Sequence, residues 1–370
     1  MRIGFHSPLP PARTGVAGYS AALLRALARR ADVRANPAQS CDVELYHTGN
    51  NQLHHSIYHR ALARPGVVVL HDAVLQHFFL GSCDEKAYVE EFVHNYGEWN
   101  RELAGRLWRD RARSAQAEEY FRYPMLRRLA ENALAVVVHN PAAAALVKAH
   151  ANRTPVVEIP HLFEEPGLAR AADVENWRRP LGPDAFVFGV FGHLRESKRI
   201  SNILRVFAGL RSQHPWVWLL VAGPMASSDL RRTVEPMLRQ PGILRVDYLP
   251  EEQFWLHAAA VDVCINLRYP PAGETSGIAI RLMGIGKPVV LTAGQETVRL
   301  PETSCIRVEA GLAEEEMLAA YMLWLSHNRV AARQIGQAGR AHILRHHNLE
   351  SVASRYLDLL GEYPDRNRVA

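Results

Sequence analysis

The amino-acid sequence predicts an α/β protein made of two doubly wound parallel sheets, in two domains with a cleft between them. Short, Val-rich apolar runs alternate with helical stretches in both halves of the 370-residue chain, the pattern of strands buried on both faces by helices. Between the halves, residues 162–183 gather Pro, Gly and charged residues and break the alternation, as a linker does. The length suits two domains with well-formed cores.

In the first half, residues 3–6, 43–47, 67–71, 135–138 and 156–159 read as strands. The first runs into Ser7-Pro-Leu-Pro-Pro-Ala-Arg-Thr-Gly-Val-Ala-Gly-Tyr-Ser20, a loop stiffened by proline in which Gly15 and Gly18 permit close approach of a ligand. A helix over 21–30 follows, with Leu23, Leu24 and Leu27 on one face. Loops of this kind at the carboxyl edge of a parallel sheet are where α/β proteins bind ligands. The loop is neither a GxGxxG fingerprint nor a Walker loop, so neither a dinucleotide nor ATP is indicated.

In the second half, residues 186–190, 217–222, 244–248, 261–265, 289–292 and 304–308 read as strands, with helices over 200–213, 312–327 and 330–346. The first of these strands ends at Gly192, and His193-Leu-Arg-Glu-Ser-Lys-Arg199 leads into a helix. Arg195 and Lys198 are expected at the tip of that turn, where two cations would neutralise a diphosphate leaving group; a solvated basic loop is the plainer alternative. After 261–265, the segment 267–288 places Glu274, Thr275, Ser276 and Gly277 where a helix should start. A carboxylate beside open N–H groups suits a ligand bearing both hydroxyls and phosphates, such as a nucleotide sugar. An ordinary capped helix fits the same residues.

Composition narrows the partners. Apolar content of 48% and charged content of 22% are those of a globular chain. A net charge of +5 and a pI near 9.1 fit an anionic donor or an anionic membrane surface. No nucleic-acid motif is present. The cysteines Cys41, Cys83, Cys264 and Cys305 are scattered without a C-x-x-C pair, so neither a metal knuckle nor a disulfide framework is indicated. The 18 histidines offer no spacing that puts several metal ligands on one face. There is no signal-peptide core and no apolar run of ~20 residues, so a cytoplasmic location is expected.

Taken together, the segments Pro8–Gly15, Phe191–Arg199 and Gly286–Val290 resemble the retaining GT-B glycosyltransferases of family 4, in order, spacing and strand–loop–helix context. The resemblance covers nearly the whole chain. It implies two Rossmann-like domains: residues 1–165 on the acceptor side, a linker at 166–183, and a nucleotide-sugar-binding domain at 184–346. A last helix within 347–370 would cross back to the first domain. It further implies a metal-independent hexosyltransferase that uses no cofactor and moves a sugar, with retention, from a nucleotide-diphosphate sugar to an acceptor hydroxyl. The acceptor, whether a sugar, a lipid-linked or a small molecule, is left open, as is the oligomeric state.

By the same resemblance His71, at a strand's carboxyl edge, would contact the donor sugar or acceptor hydroxyl, with Asp72 orienting its imidazole. Asn50, Asn51 and His54 would line the acceptor pocket, although loop capping explains the asparagines equally well. The family carries two glutamates eight positions apart. Here Glu274 reads as the displaced sugar contact, and Arg281 stands where a ribose-binding carboxylate is expected, as a helix-surface charge or a phosphate contact. Loss of that carboxylate keeps open a non-catalytic nucleotide-sugar-binding subunit, and a nucleotide-sugar epimerase on the same fold is a second alternative. Finally, 101–128 carries eight arginines among apolar residues. It reads as a helical insertion packed on the first sheet, or as a peripheral contact with the inner face of a membrane.

Overall fold

The structure, a computed structural model, describes residues 1–167 and 169–363. The chain divides into two compact units. One comprises residues 1–164, 270–275 and the segment from 347 on; the other comprises 165–269 and 276–346. Residues 364–370 of the expected last segment, and Leu168 of the expected linker, lie outside the described residues.

The first unit holds a six-stranded, wholly parallel sheet: β1 (Arg2–His6), β2 (Asp32–Ala35), β3 (Val43–Thr48), β4 (Val67–Leu70), β5 (Ala135–Val138) and β6 (Val156–Glu158), in the order β2-β1-β3-β4-β5-β6. Alternation along each strand divides its apolar side chains between two cores. Val67 and Val69 join Ile3, Phe5 and Leu45 under helices Gly15–Ala28 and Leu349–Gly361, whereas Val68 and Leu70 join Tyr46 under the helices on the other face. The last helix contributes Val352, Ala353, Tyr356, Leu359 and Leu360 to the first of these cores.

The second unit repeats the plan with β7 (Phe186–Phe191), β8 (Val217–Ala222), β9 (Ile243–Val246), β10 (Val263–Asn266), β11 (Val289–Thr292) and β12 (Ile306–Val308), ordered β12-β11-β10-β7-β8-β9. In each sheet the chain first winds one way and then returns to the other side of its first strand. This creates topological switch points at β1/β3 and β7/β10, where doubly wound folds bind ligands at the carboxyl ends of the strands.

Three expectations change. Strand β2 was not expected; it is an edge strand reading Asp-Val-Arg-Ala, with no apolar run to reveal it. The first helix begins at Gly15 rather than 21, because Thr14 caps it by accepting from Val16 N; Gly15 and Gly18 are therefore helical, with open space where a Cβ would stand. The expected linker contains a helix, Ala171–Arg178, whose Arg178 donates to Ala260 O, Ala185 O and Asp262 Oδ2 within the second unit.

The arginine-rich stretch is a helix, Arg101–Arg109, followed by short turns. Its Leu107, Trp108, Tyr120, Met125 and Leu126 are buried in the core of the first unit. Arg101, Arg106, Arg122 and Arg128 pair with glutamates. These apolar residues pack among the helices and strands of that core. No described helix is long and apolar enough to cross a membrane.

Candidate active site

At the end of β7 the chain turns through Gly192, whose φ of +83° lies in the left-handed region. Beside it, Gly223 (φ +142°) passes so close that any Cβ would collide with the Gly192 carbonyl oxygen. The turn Glu196–Lys198 then brings Lys198 back to this edge. The residue is only 5% exposed, and its Nζ donates to Phe191 O. A Cβ on Gly192 would stand 3.1 Å from that Nζ and 3.3 Å from Ile278, the second residue of helix Gly277–Gly284. Strand end, ammonium and helix start therefore share the β7/β10 switch point.

Ser276 caps that helix. Its Oγ accepts from Ala279 N (3.3 Å), Asn266 Nδ2 (2.8 Å) and Arg268 Nη2 (3.3 Å). Tyr269 N donates to Ser197 O at 2.7 Å, tying the loop after β10 to the Lys198 turn. Arg195 is exposed, and its carbonyl accepts from Lys198 N. Partial burial, then the charges of Arg195 and Lys198, push the His193 pKa down. Arg281 turns to the neighbouring helix Glu251–Ala260, where it pairs with Glu251 and lies over Phe254 (3.9 Å) and Trp255 (4.3 Å). Its charge and ring contacts are those of a clamp between two helices.

Glu274 and Thr275 belong to the first unit, although Ser276 and Gly277 belong to the second. The segment 270–275 is held by Ala73 N donating to Ala272 O (2.8 Å) and by Asn140 Nδ2 donating to Gly273 O and Thr275 Oγ1, both at 3.0 Å. Gly273 (φ +68°) packs on Ala73, where a Cβ would come within 2.7 Å. Glu274 Oε2 accepts from Ala272 N at 2.9 Å. The four residues read together as one helix start are thus divided between two units.

At the carboxyl edge of the first sheet, strand ends line up four histidines around Tyr19. Ring centroids lie 5.9 Å (His47), 4.8 Å (His71), 5.4 Å (His139) and 4.8 Å (His161) from its ring. The Tyr19 and Tyr356 hydroxyls are 2.9 Å apart. Burial, then neighbouring histidines, hold His47 and His71 well below the ordinary imidazole range; burial pushes His139 down to about 4. His71 Nε2 is bonded to His47 Nδ1, so the expected partnership with Asp72 is replaced. Asp72 Oδ2 instead accepts from Asn50 N at 2.9 Å. Asn50 Oδ1 accepts from Phe78 N, and Asn51 caps a turn by accepting from Leu53 N. Both asparagines thus act as loop caps. His54 is buried, with Nδ1 donating to His47 O.

The structure adds Arg268, Asn266, His47 and Tyr19 to the residues expected from sequence. Arg268 had a legible signal, a cation just past a predicted strand. Asn140 follows a strand and precedes a proline, the mark of a helix cap. His47 and Tyr19 acquire meaning only from their neighbours in space. Among the described residues no group of three or more His, Cys, Asp or Glu side chains is arranged to hold a metal ion.

No protein-family model and no curated protein sequence matches the chain. Solved structures do. The sucrose-phosphate synthase of Thermosynechococcus elongatus superposes with a TM-score of 0.71 at 17% identity, over 98% of each chain. HepE of Anabaena in complex with UDP and glucose gives 0.65 at 15% identity, over 98% of this chain and 100% of its own. WaaG, a glycosyltransferase involved in lipopolysaccharide biosynthesis, gives 0.62 at 13% identity, over 97% and 99%. With its two parallel six-stranded sheets, the chain has the GT-B fold.

Proposed function

We propose that the protein is a retaining glycosyltransferase of the family 4 type, moving a sugar from a nucleotide-diphosphate sugar to an acceptor hydroxyl without a metal ion. One observation carries this reading: the buried Lys198 ammonium sits at the β7/β10 switch point beside Gly192 and the start of helix Gly277–Gly284. The shared fold supports it, since HepE is solved with UDP-glucose bound.

In this reading the second unit takes the diphosphate. Lys198, with Arg195 and Arg268 at the same edge, opposes the negative charge that grows on the leaving phosphate as the anomeric C–O bond breaks. The amides from Gly277 onward add the helix dipole. Charge placed there in advance stabilises the transition state more than the ground state. The acceptor oxygen bonds to the anomeric carbon from the face that the phosphate leaves, and the acceptor proton goes to the departing phosphate oxygen. In the first unit, His71 and Glu274 are the groups this reading assigns to sugar hydroxyls. Arg281, clamped to Glu251, holds the donor helix in place and takes no part in phosphate binding.

A thermal-shift series with UDP, GDP, ADP, TDP and their sugars identifies the donor, since a ligand of the folded state raises Tm. With that donor, Lys198→Ala lowers kcat roughly 10²–10³-fold, the scale of losing one preorganised charge-stabilising group, with the acceptor KM little changed. Wild-type turnover in Lys198→Ala refutes the assignment.

A further inference from the structure

His47 and His71 stand on neighbouring strands. β3 and β4 pair with Thr48 opposite Leu70, and His71 N donates to Thr48 O at 2.9 Å, one residue past β4. The imidazoles are consequently stacked, with centroids 5.3 Å apart and planes inclined by 22°. His47 Nδ1 meets His71 Nε2 at 3.0 Å, and one of those two nitrogens carries the shared proton. His47 is fully buried, and among the described residues its Nε2 has no partner.

That orphaned atom decides the direction of the bond. If His71 Nε2 donated, His47 Nδ1 would be bare and the His47 proton would sit on Nε2. If either ring were an imidazolium, His47 Nε2 would again carry a proton. Each of these arrangements buries an N–H without an acceptor, which costs the full desolvation of that group. Only donation from His47 Nδ1 avoids it, leaving Nε2 as a lone pair. Two neighbours follow the same pattern, and there carbonyl partners settle the tautomer. His54 Nδ1 donates to His47 O (2.9 Å) and His139 Nδ1 to Ile159 O (2.8 Å), and in both the orphaned buried atom is the bare Nε2. Burial keeps the pair neutral. The groups facing it are Phe5, His6, Tyr19, His54, His139 and His161, while the Asp72 carboxylate is bonded to Asn50 N.

We propose that His47 is a positioning residue: it donates Nδ1–H to His71 Nε2 and fixes His71 as the neutral tautomer with its proton on Nδ1. His71, 9% exposed, makes no Nδ1 hydrogen bond among the described residues. It thus presents a hydrogen-bond donor to a hydroxyl or ring oxygen of a sugar and is closed off as a proton acceptor. The ligand part of this inference rests on the sugar-transfer reading; the tautomer does not.

The test is a long-range ¹⁵N–¹H correlation spectrum of the full-length protein labelled with ¹⁵N-histidine, the His71 signals being identified by their loss in His71→Gln. At neutral pH His71 shows a protonated Nδ1 and a bare Nε2. His47→Asn, whose carboxamide N–H stands near the position of Nδ1, keeps that state. His47→Phe releases His71 to the Nε2–H tautomer that free imidazoles favour, and lowers kcat about 10–100-fold, the scale of losing an orienting partner. A bare Nδ1 on His71 in the native protein overturns the proposal, and that measurement stands even where His47→Phe fails to fold. An unchanged His71 tautomer in folded His47→Phe overturns it as well. A protonated Nδ1 in a protein that turns over no nucleotide sugar upholds the pair and refutes the transfer reading.

Discussion

Acidification provides a direct measure of the histidine cluster. His139 is buried and neutral in the folded state, with its pKa pushed down from 6.5 to about 4 by burial. In the unfolded chain it charges once the pH falls below 6.5. The unfolded state then holds the extra proton, so the stability that is complete above pH 6.5 is lost progressively as the pH falls toward the folded value. Each pH unit inside that window removes about 1.4 kcal/mol per histidine, so lowering the pH from 6.5 to 5 removes about 2 kcal/mol through His139 alone. His47, His71 and His54 are shifted in the same direction by burial, which makes 2 kcal/mol a lower bound. Against a typical total of about 5–15 kcal/mol this is a large fraction. Urea denaturation followed by far-UV circular dichroism at about pH 7, 6 and 5 measures the loss. His139→Asn retains a donor for Ile159 O but does not titrate, and it shrinks the pH 7-to-5 difference by about 2 kcal/mol. Equal stability at pH 7 and pH 5, or the same pH dependence in His139→Asn, refutes the reasoning.

Three further outcomes test the site. Gly223→Ala forces a Cβ into the Gly192 carbonyl at a φ of +142°; it lowers Tm sharply and abolishes the nucleotide-sugar thermal shift, and a Tm within a degree or two of wild type contradicts this. Arg281→Ala strips a guanidinium from Phe254 and Trp255 and leaves Glu251 without its partner, a loss of about 1–2 kcal/mol accompanied by altered tryptophan fluorescence. Unchanged stability and emission would mean the stack contributes nothing. Asn140→Ala removes a helix cap worth about 1 kcal/mol and both bonds to 270–275, so the donor KM rises while the circular dichroism spectrum is retained; an unaltered donor KM argues against a role for that segment.

The central strands were legible because both faces of a parallel sheet are covered, which leaves uninterrupted runs such as Val67-Val-Val-Leu70. The edge strand β2 was not, because Asp32 and Arg34 face water and leave no such run. The start of the first helix was hidden by glycine, a residue that signals loops and yet sits here just inside the Thr14 cap. Lys198 could be foreseen, since a short loop fixes a side chain close to its own strand. The histidine cluster could not, beyond His71 itself. Each of the other members follows or ends a different strand and reads singly as a polar terminus. Only the parallel register, invisible in a linear text, gathers them around Tyr19. Arg281 stood out as a departure from the family pattern, but its ionic partner Glu251 lies thirty residues upstream.

The placement of the final helix has a consequence for biosynthesis. Val352, Tyr356 and Leu360 complete a core whose other walls are Ile3, Phe5 and Leu23, so the first unit to leave the ribosome is the last able to close. While the second unit is being translated, the amino-terminal sheet waits with apolar surface uncovered, exposed to chaperones and to aggregation. Vectorial synthesis thus favours completion of the carboxyl-terminal half before the amino-terminal half, the reverse of the order in which they are made.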